Sequence, residues 1–164
     1  MKVSLNWLKT FVPIELSRVE LAAALTMTGL EVEAISDRFE YLKSIKVGHV
    51  RAVKDHPNAD RLKVCDVDIG ERTLRVVCGA PNVREGMLSP IALPGTHLPN
   101  SGILEKGVIR GVSSEGMLCS EAELELGMDT SGIMTLDDNL TKGQSLTTAL
   151  NLSDTMIEID LTPN

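Results

Sequence analysis

Apolar and polar positions alternate with two different periods along the chain, and the period changes near residue 45. Before that point the pattern predicts two helices followed by a strand. The second helix begins at an S-x-x-E capping box formed by Ser17 and Glu20, and it ends at Gly29, where a left-handed C-cap is favoured. Residues 30–35 then alternate as a strand.

Between residues 45 and 120 the period is two, and turn residues separate short apolar runs, a pattern typical of a small all-β barrel or sandwich. Hairpins and one long connection favour a five-stranded OB-fold barrel, and an SH3-like barrel fits the same pattern. The segments predicted as strands are residues 45–53, 62–69, 73–78, 88–93, 108–112 and 116–120.

After this region, Ser120 and Glu123 form a second capping-box pattern, which predicts one short helix ending at Gly127. Residues 156–161 alternate as a strand that needs a partner, and we expect it to pair beside residues 30–35. The predicted fold is therefore an all-β, five-stranded OB-fold barrel inserted in a small, incomplete α+β N-terminal domain. The expected domain limits are residues 1–38, 39–148 and 149–164, the last being the return strand of the split domain.

The net charge of -7 conceals an uneven distribution of charged side chains. Residues 45–120 hold 10 basic and 8 acidic side chains, whereas residues 121–164 hold 1 basic and 9 acidic ones. The middle of the chain is thus cationic within an acidic protein. The overall charge therefore does not exclude an anionic partner for this region.

Aromatic residues are confined to the first 41 positions. Proteins that grip single strands without regard to sequence usually stack bases on exposed rings. Residues 45–164 have no ring for such stacking, so a nucleic acid bound there would be read through its phosphates and 2'-hydroxyls, as suits a folded RNA.

Cys65, Cys78 and Cys119 stand 13 and 41 positions apart, which gives neither a disulfide framework nor a C-x-x-C metal site. We expect these residues to lie in the core of a protein from a reducing compartment. Together with the three histidines they show no ligand spacing, so no metal site is predicted. No apolar run of about 18 residues and no signal-peptide pattern occurs, which predicts a cytoplasmic protein with no membrane partner.

Three segments stand out in chain order: HPNADRL (residues 56–62), CGAPNVREGM (residues 78–87) and VIRGVSSEGML (residues 108–118). Together, and in this order, they resemble the tRNA-binding domain family, an OB-fold module. This module is found in phenylalanine–tRNA ligase β subunits, in many methionine–tRNA ligases and in free-standing tRNA-binding proteins. The flanking stretches SLNWLKTFV, TMTGLEVEAI and EIDLTPN are similar to the N-terminal region of the bacterial phenylalanine–tRNA ligase β subunit, so the resemblance covers the whole chain.

The basic side chains of this region are candidate phosphate contacts, whose affinity would fall steeply with salt. The alternative is a solvated charged face interleaved with Asp55, Asp60 and Asp66. The candidates are Arg51, Lys54, Arg61, Lys63 and Arg75 in the first strands and their loop, and Lys106 and Arg110 before the SSEGM stretch.

The resemblance implies that the S-E-G-M stretch lies on the RNA face. Ser114 and Glu115 could contact 2'-hydroxyls or base edges, and Met117 could pack against a base. Alternatively Glu115 caps a turn and Met117 belongs to the core, which is the interpretation we favour for Met117. We expect His56, which precedes Pro57, to shape its loop.

The resemblance also implies a larger setting: an enzyme of two α and two β subunits that attaches phenylalanine to tRNA with ATP and Mg²⁺. In that family the aminoacylation site lies in the α subunit, and the editing and anticodon contacts lie in later β domains. No catalytic residue, metal ligand or cofactor is therefore expected in this chain, and DNA is not an expected partner. Two alternatives stay open: a free-standing tRNA-binding module or chaperone, and a purely structural interdomain module.

Overall fold

The computed structural model of the chain describes residues 1–160, and these fall into two compact units. The first unit comprises Met1–Glu40 and the described residues from Leu152 onward, and the second is Tyr41–Asn151. Most of the regular structure is β-strand, which confirms the predicted mostly-β class.

The strands and helices are short, apart from two long central strands. In chain order they are β1 (Lys2–Ser4), α1 (Leu5–Leu8), α2 (Arg18–Met27), β2 (Glu31–Asp37), a 3₁₀ turn (Glu40–Leu42), β3 (Lys46–His56), β4 (Ala59–Asp68), β5 (Thr73–Cys78), β6 (Leu88–Ala92), β7 (His97–Leu98), β8 (Gly102–Ile103), β9 (Gly107–Ile109), β10 (Val112–Ser114), β11 (Met117–Leu118), α3 (Leu146–Ala149) and β12 (Thr155–Asp160).

The first unit is a three-stranded antiparallel sheet in the order β1-β12-β2, with two helices. The expected pairing of the last strand beside residues 30–35 is confirmed, since Ile157 lies opposite Ile35; the end of that predicted strand, Leu161, falls outside the described residues. Strand β1 was not predicted, and it pairs with the other edge of β12. The core of this unit is formed by Leu5, Leu21, Ile157 and Ile159.

The predicted start of α2 is confirmed in atomic detail. The Ser17 hydroxyl accepts the N–H of Glu20 at 3.3 Å, and the Glu20 carboxylate accepts the N–H of Ser17 at 2.9 Å. These two bonds satisfy N–H groups that have no partner inside the helix. Gly29 has a φ of 94°, as a left-handed residue after the helix end requires.

The second unit is built on a five-stranded antiparallel sheet in the order β11-β6-β3-β4-β5. Successive side chains of a strand point to opposite faces, so Cys65 and Val67 of β4 share one face with their partners Val76 and Leu74 of β5. All four are buried in the main core cluster. The prediction that the three cysteines are core residues is confirmed, because each thiol is buried.

The two edge strands of this sheet are β5 and β11, and no ladder joins them within residues 1–160. The predicted five-stranded set is therefore present, but a barrel closed by continuous strand pairing is not seen. One backbone bond between described residues spans the gap, from the N–H of Glu115 to the carbonyl of Arg75 at 2.8 Å.

The beginning and end of the second unit are bonded to each other. The N–H of Leu146 donates to the carbonyl of Ile45 at 2.8 Å, and the N–H of Val47 donates to the carbonyl of Gln144 at 2.9 Å. Lys46 and Ser145 form the antiparallel bridge between these two bonds. The first residues of β3 and the residues before α3 thus form one short paired segment.

For three segments the predicted secondary structure was wrong. The loop expected between the predicted strands 45–53 and 62–69 is reduced to a turn, because β3 continues to His56 and β4 begins at Ala59. Residues 108–112 form a hairpin rather than one strand. At the second capping box both reciprocal bonds are present between Ser120 and Glu123, yet the chain forms only turns, since Glu125 adopts a φ of 51° and leaves the helical path.

Candidate nucleic-acid interface

One face of the sheet points away from the core, and it carries two of the predicted cations. Because the neighbouring side chains of β4 face the core, Val64 and Asp66 point outward. Lys54 of β3 lies opposite Val64, and Arg75 of β5 lies opposite Asp66. Lys54 and Arg75 are therefore on the outer face, and both are exposed.

The seven predicted cations differ in whether an acid neutralises them. Arg51 is 3.0 Å from the Asp68 carboxylate, Lys63 is hydrogen-bonded to Asp55, and Lys106 is 3.6 Å from Glu115. Such a pair presents less net positive charge to a phosphate than an isolated cation does. Within residues 1–160 the other four side chains have no hydrogen bond or ion pair: Lys54, Arg61, Arg75 and Arg110.

The four unpaired cations line two neighbouring grooves. Lys54 and Arg75 line a groove of about 250 Å³ that also includes Pro57 and the carboxylates of Asp55, which is paired with Lys63, and Asp66. Arg61 and Arg110 line a groove of about 440 Å³ that also includes Asn58. Because residues 57 and 58 are consecutive, the same turn borders both grooves.

The SSEGM stretch closes the exposed edge of β5. The Ser114 hydroxyl is buried, accepts the N–H of Val77 at 3.0 Å and donates to the carbonyl of Gly116 at 2.9 Å. The Glu115 carboxylate accepts the N–H of Arg75 at 3.2 Å, and that bond, followed by nearby Lys106, lowers the pKa of Glu115. These polar atoms are thus engaged within the chain.

Gly116 and Met117 of this stretch also pack against the chain, next to Ala92. A Cβ atom on Gly116 would lie 2.8 Å from the backbone oxygen of Ala92, so only glycine fits without movement. Met117 is half-buried on β11, opposite Ala92. Contact of Ser114, Glu115 or Met117 with RNA stays a prediction.

His56 and Asn58 fix the turn between β3 and β4 against the β9–β10 hairpin. His56 is buried, and its Nδ1 accepts the N–H of Asn58 at 3.1 Å. Its Nε2 therefore carries the hydrogen and donates to the carbonyl of Ile109 at 3.0 Å. The Asn58 amide donates to the carbonyl of Arg110 at 2.9 Å. The predicted loop-shaping role of His56 is confirmed, whereas Asn58 was missed because its partner lies 52 positions away.

Neither the thiols nor the acidic residues form a chemical centre in the part of the chain that the structure describes. Burial raises the pKa of Cys65 and of Cys119 to about 12 and also raises that of Cys78, so the reactive thiolate is disfavoured. Over residues 1–160, no three His, Cys, Asp or Glu side chains meet in a group that could hold a metal ion.

The helices of residues 1–160 are short, and none combines the length and apolar character needed to cross a membrane.

A family model described as "Putative tRNA binding domain" matches residues 45–145. The phenylalanine–tRNA ligase β subunit of Desulfotalea psychrophila is 48% identical over 165 residues, and that of Syntrophus aciditrophicus is 45% identical over 164 residues. Each alignment covers 100% of this chain and 20% of the relative, so the chain spans about a fifth of their length. A solved structure of a MetRS-related protein from Pyrococcus horikoshii aligns with a TM-score of 0.47 and 18% identity, over 81% of this chain and 99% of the other.

The family match covers nearly the same residues as the second unit, Tyr41–Asn151. The relatives, in contrast, align with both units. The chain thus belongs to the tRNA-binding domain family, and over its whole length it is homologous to the N-terminal fifth of phenylalanine–tRNA ligase β subunits.

Proposed function

We propose that the second unit binds tRNA, chiefly through the phosphate backbone. The observation that carries this proposal is the set of four exposed, unpaired cations that line two neighbouring grooves within the residues matched by the family model. Unpaired lysine and arginine side chains displace counterions from phosphates, which is the main source of affinity for nucleic acids. The paired cations Arg51, Lys63 and Lys106 and the SSEGM residues would contribute less.

Recognition by backbone and shape follows from the side chains present. No Phe, Tyr or Trp occurs after position 41, so Tyr41 at its first position is the one benzene or indole ring of the second unit on which a base could stack. A folded RNA exposes phosphates and 2'-hydroxyls without splaying its bases. We therefore propose a duplex or tertiary-structure region of tRNA, rather than a single strand, as the bound element.

For the whole protein we propose the role named by its relatives: the β subunit of a phenylalanine–tRNA ligase. In that setting the chain would support ATP- and Mg²⁺-dependent attachment of phenylalanine to tRNA in the cytoplasm, together with an α subunit in an α2β2 assembly. The support is homology over 100% of this chain with proteins of that name. Catalysis would fall to other parts of the enzyme.

We also propose that the second unit is an OB-fold barrel and that the domain limits are residues 1–38, 39–148 and 149–164. The five-stranded antiparallel sheet supports the fold, and the bond between Glu115 and Arg75 marks the seam at which the barrel would close. The pairing of β12 with β2 supports an insertion, because it joins the two ends of the chain in one sheet.

A titration of the 164-residue chain with fluorescently labelled tRNA at two salt concentrations tests the proposal. With four phosphate contacts, affinity should fall roughly a hundredfold between about 50 and 200 mM salt. Replacing Lys54 and Arg75 by Ala should lower the salt slope by about two units, since two phosphate contacts are lost.

The matched control is the double variant Asp55→Ala/Lys63→Ala, which removes a salt-bridged pair of the same region without changing the net charge. Its slope should change less than that of either single variant, Lys54→Ala or Arg75→Ala. Absence of tRNA binding by the unaltered chain at low salt would overturn the proposed function.

A second candidate function, an interdomain packing module, is favoured by the first unit. That unit exposes large apolar side chains such as Trp7, Phe11 and Val19. Contiguous exposed apolar surface marks sites of protein contact, and the exposed rings of Trp7 and Phe11 are in contact, with centroids 5.0 Å apart. A chain that binds no tRNA but associates with the remainder of the β subunit would favour this candidate.

A further inference from the structure

The turn of the β9–β10 hairpin has an unusual residue at its tip. Ile109 pairs with Val112, so the loop consists of Arg110 and Gly111 alone. Their φ values are 50° and 89°, which is the arrangement of a type I′ turn. The first position of such a turn favours Asn, Asp or Gly, because a larger side chain is strained in the left-handed region. Arginine is therefore present there against the preference of the backbone.

Strained residues of this kind persist where the surrounding structure holds them, and they are concentrated at functional sites. The hairpin tip is held by two side chains of the β3–β4 turn. His56 bonds to the carbonyl of Ile109, and Asn58 bonds to the carbonyl of Arg110 itself. The backbone of Arg110 is thus fixed, while its guanidinium group has no bond to any residue of the described range 1–160.

A second arginine, Arg61 of β4, lines the same groove as the hairpin tip. Arg61 and Arg110 both line the groove of about 440 Å³, together with the Asp60 carboxylate. Two guanidinium groups and one carboxylate leave a net charge of about +1, which complements the single negative charge of a phosphodiester. Guanidinium groups also present paired N–H donors that match two phosphate oxygens.

We propose that Arg61 and Arg110 form a binding site for one phosphodiester group of a folded RNA, with His56 and Asn58 as positioning residues. The proposal rests on the proposed function, and it names the place at which the RNA backbone is gripped. It also explains why arginine stands where a turn favours asparagine.

The variant Arg110→Asn separates the charge from the turn, because asparagine is a preferred residue for that position. We expect a melting temperature equal to or above that of the unaltered chain, a several-fold lower affinity for tRNA and a salt slope lower by about one unit. Arg61→Ala should give the same loss of slope. Arg84→Ala is the control, since Arg84 is exposed and lines neither cationic groove. Unchanged affinity in both Arg110→Asn and Arg61→Ala would overturn the site.

The positioning role of Asn58 has its own test. Asn58→Ala removes the bond to the carbonyl of Arg110 and leaves the charge in place. The affinity for tRNA should fall as it does in Arg110→Asn. The double variant Asn58→Ala/Arg110→Asn should lose little further affinity, because both changes disable the same guanidinium group. Additive losses in the double variant would overturn the role of Asn58 as a positioning residue.

A second probe distinguishes failure of the site from failure of the proposed function. Inorganic tripolyphosphate, titrated into the ¹⁵N-labelled chain, should shift the amide signals of Arg61, Arg110 and Gly111, and Arg110→Asn should abolish those shifts. If the chain binds no tRNA but shows these shifts, the tRNA function fails and the phosphate site stands. If tRNA binds while both variants behave as the unaltered chain, the site fails and the function stands.

Discussion

The two units differ in how many large apolar side chains they expose to solvent. The second unit exposes four large ones, Ile103, Val108, Ile109 and Met128. The first unit is about half as long, yet nine are exposed in its described residues. These nine are Met1, Trp7, Phe11, Val12, Leu16, Val19, Met27, Leu30 and Ile35.

The difference follows from how each unit covers its sheet. In the second unit, every strand of a five-stranded sheet sends alternate residues into one shared core. In the described part of the first, three strands and two helices enclose four buried apolar residues. Periodicity thus tells which face of an element is apolar, but the number of neighbouring elements decides whether that face is buried. Substitutions of buried and exposed apolar side chains should therefore differ in how far they lower the free energy of unfolding.

The largest effect is expected from Ile91→Ala in the second unit. Ile91 has 0% exposure and lies in the main core cluster, so removing three carbons leaves a cavity and should lower the free energy of unfolding by about 2 to 5 kcal/mol. Urea unfolding followed by circular dichroism measures the change.

The matched variant is Phe11→Ala in the first unit, where the side chain is 69% exposed and contacts Trp7 edge-on with ring centroids 5.0 Å apart. Its cost should stay below about 1 kcal/mol, since little surface leaves water on folding. Equal losses in the two variants would break the comparison, because the exposed face of the first unit would then be buried in solution.

A smaller effect is expected at the paired ends of the second unit. Gly143 has a φ of 80°, and a Cβ atom there would lie 2.3 Å from the backbone oxygen of Ile69. Gly143→Ala should therefore cost about 2 to 3 kcal/mol, the sum of a left-handed backbone and a displaced carbonyl. Thermal unfolding gives the measurement.

Gly86→Ala is its control, because Gly86 has a φ of 87° but no atom within 4 Å of the added Cβ. This variant should lose only about 1 kcal/mol, the conformational cost alone. If both glycines gave the same loss, the close packing of residues 143 and 69 would not contribute to stability.

The smallest effect concerns Asp68, which joins β4 to the end of the second unit. Its carboxylate is bonded first to Lys142, then to the N–H of Gly70 and to Arg51, and these bonds lower its pKa to about 2. The folded pKa lies below the ordinary value of 3.8, so the stabilisation is present above about pH 4 and is lost as pH falls toward 2. Because both cations are largely in water, we expect only about 1 kcal/mol.

Urea titrations of the unaltered chain and of Asp68→Asn at neutral pH and between about pH 4 and 2 measure this contribution. The difference in unfolding free energy between the two should be constant at higher pH and should vanish in the acid range. A difference that persisted at the lowest pH would mean that Asp68 stabilises the unit by something other than its charge.

The sequence predicted those elements whose signals are local. The bonds between Ser17 and Glu20 lie within four residues, and the strand at Thr73–Cys78 alternates over its first four residues, so both were found with their limits. The same kind of signal misled at Ser120, where the capping bonds form but the left-handed backbone of Glu125 prevents a helix. A cap satisfies the first N–H groups of a helix, and it cannot supply the turns that follow.

The candidate site was predictable as a region but not as individual contacts. The concentration of cations in residues 45–120 is visible in the sequence. Whether a cation is neutralised depends on the fold, as when Asp68 reaches Arg51 across 17 positions. The Arg110–Gly111 turn was missed because arginine is not a residue that marks a type I′ hairpin.

The bonds that join Ile45 to Leu146 and Val47 to Gln144 have a consequence for the order of folding. Strands β2 and β12 are neighbours in one sheet although residues 38–154 separate them. Because of the chain entropy that is lost, closing an unstructured loop of that length costs about 3 kcal/mol more free energy than closing a loop of about four residues. Once the second unit has folded, its ends are already side by side and that cost largely disappears. The sheet of the first unit should accordingly assemble late, as though its two strands were joined by a hairpin.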